Sequence, residues 1–237
     1  MKRKLICVTM VLVLASAYAV AGGNNENAAA PAATASTRTA TTTAAATGNF
    51  RPYPTSTGPY TNATQKYVTF GTQDISYEGP YCLTAIGQSA DVAMMDALFK
   101  MVGVKDYSFD TLATPNDIAK AKTVIICSGM SSKGLGAAGI SLEDEKIRAD
   151  QVLAICKSRG INVVFAHLGG SARRGPTSDE FSDQVMGLAS YMLVVEGGGG
   201  NDDGKFTTFA TRNNVPITLT YNIVDCLDTL RQLFVSN

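Results

Sequence analysis

Three strings hold most of the groups that could do chemistry: Gly87-Gln-Ser-Ala-Asp91, Ser128-Gly-Met-Ser-Ser-Lys-Gly-Leu-Gly-Ala-Ala-Gly139 and His167-Leu-Gly-Gly-Ser-Ala-Arg-Arg-Gly175. They combine glycines, whose backbone lets a ligand approach closely, with hydroxyls and the cations Lys133, Arg173 and Arg174. Helix N-termini placed beside such strings add unpaired N–H groups and a positive dipole end, so a carboxylate or phosphate is the natural guest. Asp91, Glu196, Asp202 and Asp203 give the same region an anionic side, so a zwitterion carrying an amine also fits. The candidate binding residues are Gln88, Ser89, Asp91, Ser131, Ser132, Lys133, Gly134, His167, Arg173 and Arg174. In the competing reading, Arg173 and Arg174 pair with these acids and merely brace the loops.

His167 is the only histidine. A hydrolase or transferase would use it as the base for Ser131, Ser132 or Ser171, with Asp91 or Glu196 orienting the ring. But Gly129-Met-Ser131-Ser-Lys133 lacks the second glycine that lets a nucleophile elbow turn. A single histidine at a strand end more often orders a loop by hydrogen bonding. His167 with Ser131 is therefore the alternative, and non-catalytic binding the main reading. Gly134-Leu-Gly136-Ala-Ala-Gly139 fits G-x-G-x-x-G formally, yet the expected helix begins only at Ser141, and no acid ends the next strand to meet a ribose. No Walker-type phosphate loop occurs, and no cofactor is expected. One histidine and scattered cysteines make no metal centre, and the run from Gly197 to Gly204 lacks the alternating acids and final glutamate of a calcium loop.

The elements that must position these strings repeat as strand, helix, strand. Apolar runs at 82–86, 123–127, 162–166, 191–195 and 216–220, with a short one at 107–109, alternate with helical stretches at about 89–102, after Pro115, at 141–158, and from about 178, 204 and 224. That alternation gives an α/β fold: a single doubly wound, mainly parallel sheet of five or six strands, flavodoxin- or Rossmann-like, with helices on both faces. Residues 67–78 are compatible with one or two added edge strands, in a broken pattern. In the order 2-1-3-4-5 the reversal falls between the strands ending at Ile86 and Cys127, and the three strings should meet there in one positively biased hollow.

The beginning of the chain is of another kind. Met1-Lys-Arg-Lys4, an apolar run from Leu5, and Ala17-Tyr18-Ala19-Val20-Ala21 read as a secretory signal peptide over 1–21. Residues 22–61 hold little besides Ala, Thr, Asn, Gly, Pro and Ser and read as a disordered spacer; the α/β domain is placed at 62–237. The protein is thus expected to be periplasmic or extracellular, with no membrane span after cleavage. Losing Lys2, Arg3 and Lys4 takes 20 basic side chains to 17 against 20 acidic ones, so nucleic acid is not an expected partner. Cys82, Cys127, Cys156 and Cys226 lie in apolar runs and are expected as free thiols. Nothing in the sequence sets an oligomeric state.

Gly87-Gln-Ser-Ala-Asp91, Ser131-Ser-Lys-Gly-Leu-Gly-Ala-Ala-Gly139 and Gly169-Gly-Ser-Ala-Arg-Arg-Gly175 together resemble a family of exported bacterial proteins classified only as a domain of unknown function, over about residues 80–235. The resemblance implies an extracytoplasmic α/β domain and carries no activity with it. Residue types and resemblance lead to an extracytoplasmic binding domain for a small anionic or zwitterionic molecule. Its alternatives are the hydrolase or transferase and a surface scaffold for protein partners.

Overall fold

The computed structural model describes residues 49–235; the expected signal peptide and most of the expected spacer lie outside them. The elements follow in chain order as β1 (Phe50–Arg51), β2 (Tyr67–Thr72), β3 (Tyr81–Ile86), α1 (Asp91–Val102), β4 (Tyr107–Phe109), α2 (Pro115–Ile118), β5 (Thr123–Ser128), α3 (Ser132–Ala138) and α4 (Leu142–Arg159). After these come β6 (Asn162–His167), a 3-10 turn over Gly170–Arg173, α5 (Pro176–Met186), β7 (Ala189–Val195), α6 (Lys205–Asn213), β8 (Ile217–Thr220) and, past a second 3-10 turn at Ile223–Cys226, α7 (Leu227–Phe234).

The strands form one mixed sheet in the order β1-β2-β8-β7-β6-β5-β3-β4. From β4 to β8 all neighbours are parallel, whereas β2 lies antiparallel to β8 and β1 antiparallel to β2. Every residue of β3 and β5 is buried, as strands covered on both faces must be. On one face Val124, Ile126, Val163 and Phe165 pack with Val152 and Cys156 of α4, Phe181 and Val185 of α5, and Phe206 of α6. On the other, Leu83, Ile125, Val164 and Tyr191 pack with Met95 and Phe99 of α1 and with Leu230 and Leu233 of α7. The four cysteines of this region are buried free thiols. Among the described residues, no helix is long and apolar enough to cross a membrane.

Three expectations are corrected. The sheet has eight strands, not five or six, because residues 50–72 add two antiparallel strands. The spacer does not run to residue 61: Tyr60 packs edge-on against Phe70 with ring centroids 5.4 Å apart, and Thr61 is buried. The aromatic side chains among the small ones are what give 49–61 surface to bury. The glycine string after β5 is not a loop either: α3 spans Ser132–Ala138, capped by Ser131 and ended by Gly139 at φ +69°, so the formal dinucleotide motif lies within a helix.

Candidate functional site

The crevice between β3 and β5, where strand order reverses, is filled by the protein's own side chains. Glu145 of α4 is fully buried and paired with Arg148 at 2.7 Å, a charge that must find partners at that depth. It accepts the Gly87 N–H at 2.7 Å and lies 3.3 Å from Gln88 Nε2, which also donates to the Thr111 carbonyl at 3.0 Å. Gln88 therefore turns down into a polar network instead of out toward a ligand. Above it the loops are zipped by backbone: Ser131 N–H donates to the Gly87 carbonyl at 2.8 Å, and Gln88 bridges Met130. Gly134 is part of this seam, since a Cβ there would stand 2.0 Å from the Gln88 carbonyl oxygen. Ser131 Oγ accepts from Gly134 N–H at 3.1 Å as the cap of α3, and Ser132 and Lys133 are exposed on its first turn.

Open space lies instead at the carboxyl ends of β6, β7 and β8. A cleft of about 680 Å³ is lined by Asp91 and Met94 of α1, by Leu168 to Arg173, by Val195, Gly197 and Gly198, and by Tyr221 to Val224. Its charged wall is a pair. Arg173 donates through Nε to Ser89 Oγ at 2.9 Å and lies 3.5 Å from Asp91 Oδ1. Asp91 is 1% exposed, and its Oδ2 has no hydrogen-bond partner. Such an orphaned buried carboxylate oxygen is costly. Gly169 allows this arrangement, because a Cβ there would meet Arg173 Cγ at 2.1 Å and Asp91 Oδ2 at 2.6 Å. The rest of the wall is glycine backbone and apolar surface.

The other charged candidates brace the edge. Arg174 is bidentate to both Asp179 and Asp203, at 2.8 and 3.2 Å and at 3.0 and 2.7 Å, and its guanidinium sits 5.0 Å from the Phe206 ring centroid. These partners hold its pKa above the ordinary arginine value, and the guanidinium pulls Asp203 down to about 2. For Arg174 the bracing alternative is the one that holds. Glu196 is likewise taken, its Oε2 accepting from Tyr60 N–H at 2.9 Å, Thr61 N–H at 2.8 Å and Thr61 Oγ1 at 2.7 Å.

His167 is fully buried against Phe206, with ring centroids 4.8 Å apart, and its Nε2 lies 3.2 Å from the Gly170 carbonyl. Burial pulls its pKa below the usual value, so at neutral pH the ring is uncharged and Nε2–H donates to Gly170. No hydrogen bond joins His167 to Ser131, whose oxygen is engaged as a cap. The acyl-transfer pair is not assembled.

Of the ten sequence candidates, Asp91 and Arg173 line the cleft and Ser89 positions Arg173; Gln88, Ser131, Gly134, His167 and Arg174 hold the edge together, and Ser132 and Lys133 face solvent. The three strings do meet, but not around one hollow. Met94, Val195 and the stretch Tyr221 to Val224 were missed. The signal for the last was present: it follows the sixth parallel strand, whose carboxyl end lies on the same edge.

Among the described residues, no group of three or more His, Cys, Asp or Glu side chains could hold a metal ion. A family described as "Domain of unknown function (DUF6305)" matches residues 78–234, a span that contains all three strings. No curated protein and no solved structure matches the chain.

Proposed function

The chain belongs to the DUF6305 family, and we propose that its α/β domain is an extracytoplasmic, non-catalytic binding module for a small zwitterionic molecule. The observation that carries this reading is the Arg173–Asp91 pair on the wall of the cleft. A bare anion would be drawn to the guanidinium but repelled by the carboxylate, and a bare amine the reverse. A molecule bearing both charges a few ångströms apart satisfies each, its anionic group beside Arg173 and its amine toward the Asp91 carboxylate. Met94, Leu168, Ile223 and Val224 offer apolar contact for its carbon skeleton, and the cleft volume lies within the range of about 300–1,000 Å³ usual for small-molecule sites. Export rests on the basic and apolar leader ending in Ala19-Val20-Ala21. The parallel run β4-β3-β5-β6-β7-β8 supports a doubly wound, flavodoxin-like core, which takes ligands at its carboxyl edge.

The test is a thermal-unfolding screen of amino acids and other zwitterions beside simple carboxylates, phosphates and amines. A zwitterion is expected to raise the midpoint, with a stabilisation of about 2.7 kcal/mol at about 100 times its Kd. Arg173→Ala should abolish the shift. If nothing in the panel moves the wild-type midpoint, or if the shift survives in Arg173→Ala, the reading fails.

A further inference from the structure

The β2 edge of the sheet, beside β8, carries a second surface, built from backbone. Tyr221 N–H donates to the Lys66 carbonyl at 2.8 Å, and Tyr67 to Phe70 pair with Thr220 to Ile217. In an antiparallel ladder this register turns Lys66, Val68 and Phe70 toward β8 and leaves the N–H and C=O groups of Tyr67 and Thr69 pointing away from it. β1 covers only Gly71 and Thr72, and Pro52 and Pro54 follow at once, so β1 cannot extend along the rest of β2. The outward carbonyls are already satisfied: Gln65 Nε2 donates to Tyr67 O at 2.6 Å, and Gln73 Nε2 to Thr69 O at 3.3 Å. The outward N–H groups of Tyr67 and Thr69 have no hydrogen-bond partner among the described residues. A hollow of about 410 Å³ runs along this edge, lined by Arg51, Thr64 to Thr69 and Gln73.

We infer that the outer edge of β2 is a docking site for an extended, acidic peptide segment that adds to the sheet as a further strand. Strand addition is a common way for a free edge to bind a peptide, the main chain giving affinity and side chains giving choice. Here the free groups are donors, the capped groups are acceptors, and the only charges lining the hollow are the exposed cations Arg51 and Lys66. Each of these features selects a partner rich in acceptors and negative charge. A second copy of this chain fits badly. Antiparallel self-pairing about Val68 would set Lys66 of one copy opposite Phe70 of the other, the ring over which Arg51 sits at 5.8 Å, and would bring cation onto cation. Exposed Tyr67 lines the hollow as an apolar contact for the added strand.

The probe is a blocked, fluorescent peptide of alternating Thr and Glu, with a Thr/Lys peptide of equal length as its counterpart, each titrated into the full chain by anisotropy. The acidic peptide should bind, and backbone amide resonances of Tyr67 and Thr69 should move on saturation. Arg51→Glu combined with Lys66→Glu, two surface changes read alongside an unchanged circular dichroism spectrum, should weaken binding by at least about tenfold. The inference is overturned if the acidic peptide does not bind, if the Thr/Lys peptide binds as well, if the double variant binds unchanged, or if the β2 amides instead shift with protein concentration alone, which would mark self-association.

Discussion

Arg173 and Ser89 are joined by a 2.9 Å hydrogen bond from Nε to Oγ, and this one contact fixes the loop after β6 to the loop after β3. It leaves the terminal nitrogens of the guanidinium, whose one contact among the described residues is with the Ala172 carbonyl at 3.5 Å, available on the cleft side. Ser89 is thus a positioning residue for the cation, not a ligand contact. It is 2% exposed and also takes the Asp91 N–H at 3.2 Å, so the same hydroxyl sets the start of α1.

Ser89→Ala removes that anchor without removing a charge. It should cost about 1 kcal/mol of ligand affinity, a factor of about five in Kd, through a guanidinium that is no longer held in place. Titration calorimetry with the zwitterion found in the screen measures it. An unchanged Kd would show that Arg173 is oriented by Asp91 alone.

The two glycines of α3 make opposite forecasts from the same substitution. Gly134→Ala drives a methyl group to 2.0 Å from the Gln88 carbonyl oxygen, a backbone atom that cannot swing aside, and should destabilise the fold by about 1–3 kcal/mol while separating the β3 and β5 loops. At Gly136 no atom stands within 4 Å, and alanine in a helix interior should add about 0.5–1 kcal/mol. Urea unfolding of both variants distinguishes a packing glycine from a merely permissive one. Equal and small effects would contradict the close approach.

That contrast also shows what the sequence made legible and what it did not. Strand and helix runs are local patterns, and the parallel part of the sheet follows from them in the order 2-1-3-4-5 with the sixth strand beyond. Which glycines face a ligand and which face another strand's carbonyl is set by approach between residues far apart in the chain, as for Gly134 and Gln88. The reversal point was the right place to look by rule, but Glu145 arrives there from the first turn of α4, where beside Glu143 and Asp144 it looks like any surface acid. Likewise, nothing local distinguishes Arg173 from Arg174. Asp179, the distant Asp203 and the packing of Phe206 together make the second a brace. The arm at 50–61 was misread because its composition is that of a spacer, while its few aromatic residues and Thr61 do the anchoring.

Glu196 is the residue that holds that arm, through three donors on one carboxylate oxygen. Glu196→Ala leaves the buried Thr61 hydroxyl and two backbone N–H groups without acceptors, at about 1–3 kcal/mol for each group that stays buried. The arm should instead detach, and limited proteolysis should cut between residues 51 and 60 in the variant at a protease dose that leaves the wild type whole. Because Gly197 follows directly and lines the cleft, ligand affinity should fall with it. A variant as resistant as wild type would mean the arm is held by Tyr60 packing alone.

His167 predicts how stability depends on pH. Burial lowers its folded-state pKa, Arg174 nearby lowers it further, and Asp91 and the Gly170 carbonyl oppose the shift without reversing it. The unfolded chain, with a histidine pKa of about 6.5, therefore takes up a proton first as pH falls. The contribution of neutral His167 is complete above about pH 6.5 and declines as pH drops below it, by at most about 1.4 kcal/mol per pH unit, until the folded pKa is reached. Asp203, held at about 2, is shifted in the same direction, so its contribution is also lost as pH falls, but only from about pH 4 downward, where unfolded carboxyls titrate. Urea unfolding between pH 7.5 and pH 5 should thus show a loss of stability that is smaller in His167→Gln, even though the variant is less stable at pH 7.5. Parallel curves for the two proteins would mean that His167 does not titrate differently in the folded and unfolded states.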